Sequence, residues 1–208
     1  MKPKRAYTHW SEQYDTNFNK TRDLEAIALR KELSGRTFQH CLELGCGTGK
    51  NTLFLAELAK AVTAVDLTDA MLQKAKEKVK DTHVRFVKAD LLQPWDFAKD
   101  QYNLITFSLV LEHIEYMQPI MEKAVAVLRP GGLIYIGELH PFKQYRGSKA
   151  RFETAYGMQE VECYNHHVSD FVNAAIAAGL HIDKLNEYFD TDDRKQLPRV
   201  LTLLLRKP

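Results

Sequence analysis

With 208 residues, 45% of them apolar and 27% charged, the chain is long enough to bury one sizeable core without help from metals or disulfides. A formal net charge of +2 gives it no polyelectrolyte character, so charge lends nucleic-acid binding no support. The three cysteines lack C-x-x-C spacing, which argues against a zinc centre or disulfide framework and for a reducing, cytoplasmic compartment; no stretch approaches the roughly 18 apolar residues of a membrane span.

In chain order, Tyr7, Trp10 and Tyr14 come first, at spacings of three and four that place them on one face of a helix. Ahead of the core, such a face closes over a ligand as a lid or packs on the sheet. Thr21 is the expected cap of the next helix, which carries Asp23 and Glu25 in its first turn, Arg30 and Lys31 in its last, and stops at Gly35. Strand-like and helical runs then alternate: strand His40 to Leu44, helix Lys50 to Ala59, strand Val62 to Asp66, helix Ala70 to Val79, strands Val84 to Lys88 and Tyr102 to Phe107, helix Pro119 to Leu128, and strand Leu133 to Glu138. This order predicts an α/β, doubly wound parallel sheet. A helix from Ser169, its expected cap, to Ala178 precedes two strand-like runs, His181 to Phe189 and Val200 to Arg206. Their short polar connection implies an antiparallel pair at the sheet's end. Residues 1–208 read as one domain, with an N-terminal helical region over about 1–35 and a long acceptor-side segment over about 139–168.

The first strand-to-helix turn, ELGCGTGKNT from Glu43 to Thr52, allows three readings. As a P-loop it fails twice, with Leu44 where the first glycine belongs and Asn51 where the hydroxyl belongs. As a dinucleotide turn it has Gly45 and Gly47 but Lys50 in place of the third glycine. What remains is an acidic residue, Glu43, followed by Gly45, Gly47 and Gly49, a turn that lets backbone approach a ligand closely and offers amide donors. Asp66 ends the second strand about 20 residues on, where a carboxylate reaches ribose hydroxyls, and Asp90 ends the third. Each alone is as readily a cap or turn former; together they favour an adenosine site.

At this point the chain resembles the class I S-adenosyl-L-methionine-dependent methyltransferases, on CLELGCGTG (Cys41 to Gly49), AVDLTDAML (Ala64 to Leu72), FVKADLLQP (Phe86 to Pro94), YNLITFSLVLEHI (Tyr102 to Ile114) and LRPGGLIYIGE (Leu128 to Glu138). The resemblance implies a Rossmann-like, seven-stranded, mostly parallel sheet of order 3-2-1-4-5-7-6 with strand 7 antiparallel. It implies that Gly45, Gly47 and Gly49 underlie the methionine and ribose parts of the cofactor, with Glu43 near the amino group. Asp66 would bind the ribose hydroxyls, Leu67 and Met71 pack on the adenine, and Asp90 with Leu91 hold its amino edge. Ser108, Leu109 and Val110 would lie near the sulfonium, and Tyr14 would be the lid residue nearest the cofactor. The sequence departs from amino-methylating nucleic-acid enzymes of the class, having no N-P-P-Y-like signature after the fourth strand. That points to a small-molecule acceptor and no nucleic acid, most like the quinone-methyltransferase group.

Methyl transfer from a sulfonium needs position and electrostatics more than a nucleophile. A base matters only if the acceptor loses a proton. His113 and His140 are the candidate bases, each equally readable as a structural histidine, one capping a turn and one anchoring a loop. No cluster argues for a metal. In the acceptor-side segment Phe142, Tyr145, Phe152, Tyr156 and Tyr164 interleave with Lys143, Arg146, Lys149 and Arg151, a mix that suits a planar, anionic acceptor or else a solvated face. The rival functions are a nicotinamide-dependent reductase, disfavoured by Lys50 and by the lack of a Tyr-x-x-x-Lys pair, and a non-catalytic module that binds the nucleoside. Oligomeric state leaves no trace in the sequence.

Overall fold

The computed structural model describes residues 1–154 and 157–208, so Tyr156 lies outside the described residues. Helices α1 (Pro3–Trp10) and α2 (Lys20–Leu33) lead into β1 (Phe38–Leu44), α3 (Lys50–Leu58), β2 (Ala59–Asp66), α4 (Asp69–Lys78), β3 (Val84–Lys88) and β4 (Tyr102–Ser108). A 3-10 turn at Leu111–His113 is followed by α5 (Gln118–Val127), β5 (Leu128–Leu139), α6 (Pro141–Tyr145), β6 (Arg151–Thr154), β7 (Gly157–Glu160), α7 (Val168–Ala177), β8 (His181–Tyr188) and β9 (Val200–Arg206). Seven strands form one sheet in the order β3-β2-β1-β4-β5-β9-β8. Only β9 runs against the others. This is the expected arrangement; the last two places fall to β9 and β8 because β6 and β7 pair with each other in a separate antiparallel ribbon.

The strands read as near-continuous apolar runs because both faces of the sheet are covered. Alternate residues go to opposite sides: Ile105, Phe107, Ile134, Ile136, Leu203 and Leu205 join one core with Ile120, Ala124 and Phe171 from α5 and α7. Leu104, Leu133, Tyr135 and Leu204 join the other with Leu29, Leu33 and Leu55 from α2 and α3. A third, smaller cluster lies apart from the sheet, where Ala6 and Trp10 of α1 meet Phe152 and Val161.

Two expected caps are displaced. The α2 cap is Asn19, whose side-chain oxygen accepts from the Arg22 amide at 3.0 Å. Thr21 lies within the helix, and its hydroxyl accepts from Arg199 instead. Helix α7 begins before Ser169: its N-cap is His167, whose amide donates to Asp170 at 2.7 Å. The proposed helical face of aromatics is also broken, since Tyr7 and Trp10 lie on α1 while Tyr14 follows its end.

Candidate active site

The strand ends β1, β2 and β4 converge on a cavity of about 410 Å³. Of the expected residues, Tyr14, Gly45, Gly47, Asp66, Leu67, Met71, Asp90, Leu91, Ser108, Leu109, Val110 and His113 line it, together with Tyr7. Glu43, Gly49 and His140 do not.

Gly45 and Gly47 hold φ of +79° and +53°, a region that glycine enters without steric cost. A Cβ on Gly45 would stand 1.8 Å from Val110 Cγ2, so the turn lies against the loop that follows β4. The expectation that these glycines offer free amides is corrected. The Gly45 amide donates to the Val65 carbonyl at 2.8 Å, the Gly47 amide to Asp66 Oδ2 at 3.0 Å, and the Gly49 amide to the Cys46 carbonyl at 2.9 Å. Their service is close approach. Gly49 serves packing instead: it caps α3, and a Cβ there would meet Ala75 and Val79 of α4 at 3.2 Å. Lys50 does not obstruct that contact, because its ammonium turns to Asp23 of α2.

Asp66 is held at both oxygens. Oδ1 accepts from the Thr68 amide at 2.9 Å and its hydroxyl at 3.1 Å, while Oδ2 takes the Gly47 amide. Burial pushes its carboxyl up, and these donors pull it back. Asp90 accepts from the Leu92 amide at 2.9 Å and forms its turn while still lining the cavity. Glu43 is buried below the turn, where Oε2 accepts from Thr52 at 2.5 Å. Burial pushes its carboxyl up to about 8. It lies beneath the turn and does not line the cavity.

Leu109 is the non-glycine residue with positive φ among the described residues, at +56°, and it sits on the cavity wall. A side chain in this region costs of order 1–3 kcal/mol and persists where surroundings impose it. Here they do so through Glu138, whose Oε1 accepts from the Val110 and Leu111 amides at 2.9 and 2.8 Å, while the Leu109 amide donates to the Gly137 carbonyl. Sequence reasoning gave Glu138 no role. Its signal was a lone carboxylate ending the apolar run of β5.

The two histidines separate. His140 is fully buried and does not reach the cavity: its Nδ1 accepts from the Phe142 amide as the cap of α6, and its Nε2 meets Glu187 at 3.0 Å. The catalytic expectation for it is corrected to that of a loop anchor. His113 lines the cavity with Nδ1 donating to the Glu162 carbonyl at 2.9 Å, which leaves Nε2 to accept from the Tyr7 hydroxyl at 2.8 Å. Burial lowers its pKa, so the ring is neutral. The same burial pushes the Tyr7 phenol well up and Tyr14 to about 12.

The expectation of no metal-ligand cluster also needs correction, because Glu112, His113 and Cys163 bring ligand atoms within 4.8 Å of one another. Both imidazole nitrogens are already engaged, however, and burial pushes the Cys163 thiol up to about 12. The thiol is therefore protonated, and the group reads as a packing contact.

The aromatic entry segment and the acceptor-side segment cover the cavity together. Trp10 stacks on Phe152 with centroids 5.2 Å apart, and Gln13 donates to the Glu153 carbonyl at 2.6 Å. Below them Asp15 ties the cover to the glycine turn, accepting from Thr48 at 2.6 Å and Lys78 at 2.7 Å.

Comparison with known proteins gives this geometry a family. A profile described as "Methyltransferase domain" matches residues 42–136. An uncharacterized methyltransferase of Emericella nidulans is 26% identical over 96% of this chain and 82% of its own. A ubiquinone biosynthesis O-methyltransferase of Shewanella halifaxensis is 25% identical over 75% of this chain and 65% of its own. Several other curated relatives are matched over about half of their length. The fold is that of an S-adenosylmethionine-dependent methyltransferase from Mesorhizobium loti, with a TM-score of 0.71 at 21% identity over 89% of this chain and 100% of that one. No helix among the described residues is long and apolar enough to cross a membrane. Residues 42–136 thus match a methyltransferase domain, and the chain is similar in sequence and in fold to S-adenosyl-L-methionine-dependent methyltransferases.

Proposed function

We propose that the protein transfers a methyl group to a small-molecule acceptor by in-line displacement. The observation that carries this is the cavity, which joins a doubly held carboxylate, Asp66, to an apolar shelf and a strained, aromatic-covered rim. The residues fit S-adenosyl-L-methionine: Asp66 Oδ2 has a lone pair left for one ribose hydroxyl and Oδ1 can take the second in place of the Thr68 hydroxyl, Leu67, Met71 and Leu91 offer an apolar bed for adenine with Asp90 at its edge, and space for a ligand opens over Gly47. When bound, the cofactor supplies an electrophilic methyl group on a sulfonium.

The chain's own part is position and proton management. Ser108, Leu109 and Val110 form the wall beside the reacting centre, and Glu138 fixes their backbone. Tyr7 and Tyr14, brought over the cavity by the cover, exclude water. Tyr7 already gives its hydrogen to His113 Nε2, so its oxygen can accept the proton of an acceptor hydroxyl or ammonium while its own proton passes to the imidazole. Glu43 and Gly49 support the turn from beneath, and His140 takes no part.

Calorimetry with S-adenosyl-L-methionine and S-adenosylhomocysteine tests the reading. Micromolar binding is expected for the native protein, and Asp66→Ala should weaken it at least about 100-fold, the loss of two charge-assisted hydrogen bonds. No heat with either ligand, together with saturable binding of a nicotinamide dinucleotide, would overturn it.

A further inference from the structure

Beside the cofactor cavity lies a second of about 300 Å³ that shares Tyr7, Tyr14 and Leu109 with it. Its walls are basic. Lys20, Arg22, Lys149, Arg151 and Arg199 line it, against one carboxylate, Glu112. Two of the cations are paired, Arg199 with Asp190 and Lys149 with Glu160 at 3.6 Å. The other three have no carboxylate in ion-pair contact among the described residues. Arg22 is the telling one: it is 8% exposed, its guanidinium donates only to the Tyr14 and Asn17 carbonyls, and it lies over the Tyr14 ring at 4.6 Å. The Asp15 carboxylate feels the Arg22 charge without pairing with it, and a buried cation balanced only at that distance is costly unless something anionic completes it. Glu112 does little to balance these charges, because burial pushes its carboxyl up to about 7. The first turn of α2, a helix of 14 residues, adds its positive end to the same wall.

We infer that the acceptor carries an oxyanion, a carboxylate or phosphoryl group, which seats in this basic cavity against Arg22 and Arg151. Its nucleophilic atom then lies at the boundary formed by Tyr7, Tyr14 and Leu109. What the anion is for rests on the methyl-transfer reading; that it binds does not.

The full chain, with and without S-adenosylhomocysteine, is titrated calorimetrically with inorganic phosphate, with benzoate and with benzamide, benzoate's neutral counterpart. Benzoate or phosphate is expected to bind at least about tenfold more tightly than benzamide, the worth of one charge-assisted bond. The exposed-site variant Lys20→Ala/Arg151→Ala should lose that preference while binding S-adenosylhomocysteine as before. Equal affinity for benzoate and benzamide, or an anion preference that survives the double substitution, overturns the inference. Benzoate against phosphate separates a carboxylate acceptor from a phosphoryl one. Failure of S-adenosylhomocysteine to bind falls on the cofactor reading alone, since the anion titration is read without it too.

Discussion

The two halves of the site are built differently. The cofactor half is assembled from strand ends: Gly45, Asp66 and Asp90 each end or follow a strand whose register the sheet imposes, and the bonds that join them link neighbouring strands of that sheet. The acceptor half is assembled from segments far apart in the chain, α1, the β6–β7 ribbon and the turn at His113. It is held by contacts such as Trp10 on Phe152 and Glu162 on Met1. A sheet fixes one half before any ligand arrives, whereas the other depends on a small satellite core and so belongs to the less stable part of the molecule.

The sharpest way to break the cofactor half is Gly45→Ala. The new methyl would overlap Val110 on a backbone with φ of +79°, so both strain and collision oppose it. A loss of about 2–4 kcal/mol in denaturant stability is expected, with S-adenosylhomocysteine affinity falling along with it. A variant that melts and binds like the native protein would show that the turn and the β4 loop are not locked together.

The acceptor half breaks at Trp10, which is 4% exposed. Truncating a buried tryptophan costs about 3–5 kcal/mol, but here the loss falls on a cluster outside the two sheet cores. Trp10→Ala should therefore open the cover to limited proteolysis near α1 and raise the acceptor KM severalfold, with the main melting transition little changed. Global unfolding instead would erase the distinction between the halves.

The same division decides what sequence could reveal. Strand order, the glycine turn and the two aspartates were legible because each rests on local pattern: apolar runs of strand length, and carboxylates where those runs end. Both caps were misplaced by two residues, since Thr21 is as suitable by type as Asn19 and Ser169 is more suitable than His167, and only the chain's path selects among them. His140 read as a cleft residue because its partner, Glu187, comes from β8, a pairing no local pattern announces. Arg22 and Arg199 were invisible as parts of one cavity for the same reason. Lys149 and Arg151 were noticed, but not the buried cation they join.

Tyr7→Phe tests the link between the halves, removing one hydroxyl from the contact with His113. For an acceptor that must lose a proton, kcat should fall about 100-fold, while S-adenosylhomocysteine affinity stays within a factor of about two, no cofactor bond being lost. Because burial lowers the His113 pKa, the native enzyme should keep its activity as pH falls to the ordinary imidazole range near 6.5 and lose it only below, where protonation fills Nε2. An unaltered kcat and pH profile in the variant would remove Tyr7 and His113 from the proton path.

Glu43 offers the mildest test, and it concerns the cofactor half alone. Burial holds its carboxyl protonated up to about 8, with Thr52 pulling the other way and Glu25 and Asp66 adding to the rise. An unfolded chain releases that proton near the ordinary value of 4.5. Between these two values the folded state binds more protons than the unfolded one, so stability must fall as pH rises through the window. Glu25 and Glu112 are shifted in the same direction, so the native slope has several contributors. Glu43→Gln keeps an oxygen for the Thr52 hydroxyl but has no proton to lose. The variant should shed roughly 1 kcal/mol per pH unit of that slope, read as the difference in denaturant stability between pH 5 and pH 7. An unchanged slope would mean that Glu43 is ionised beneath the turn at neutral pH, and the support of the glycine loop would then rest on charge.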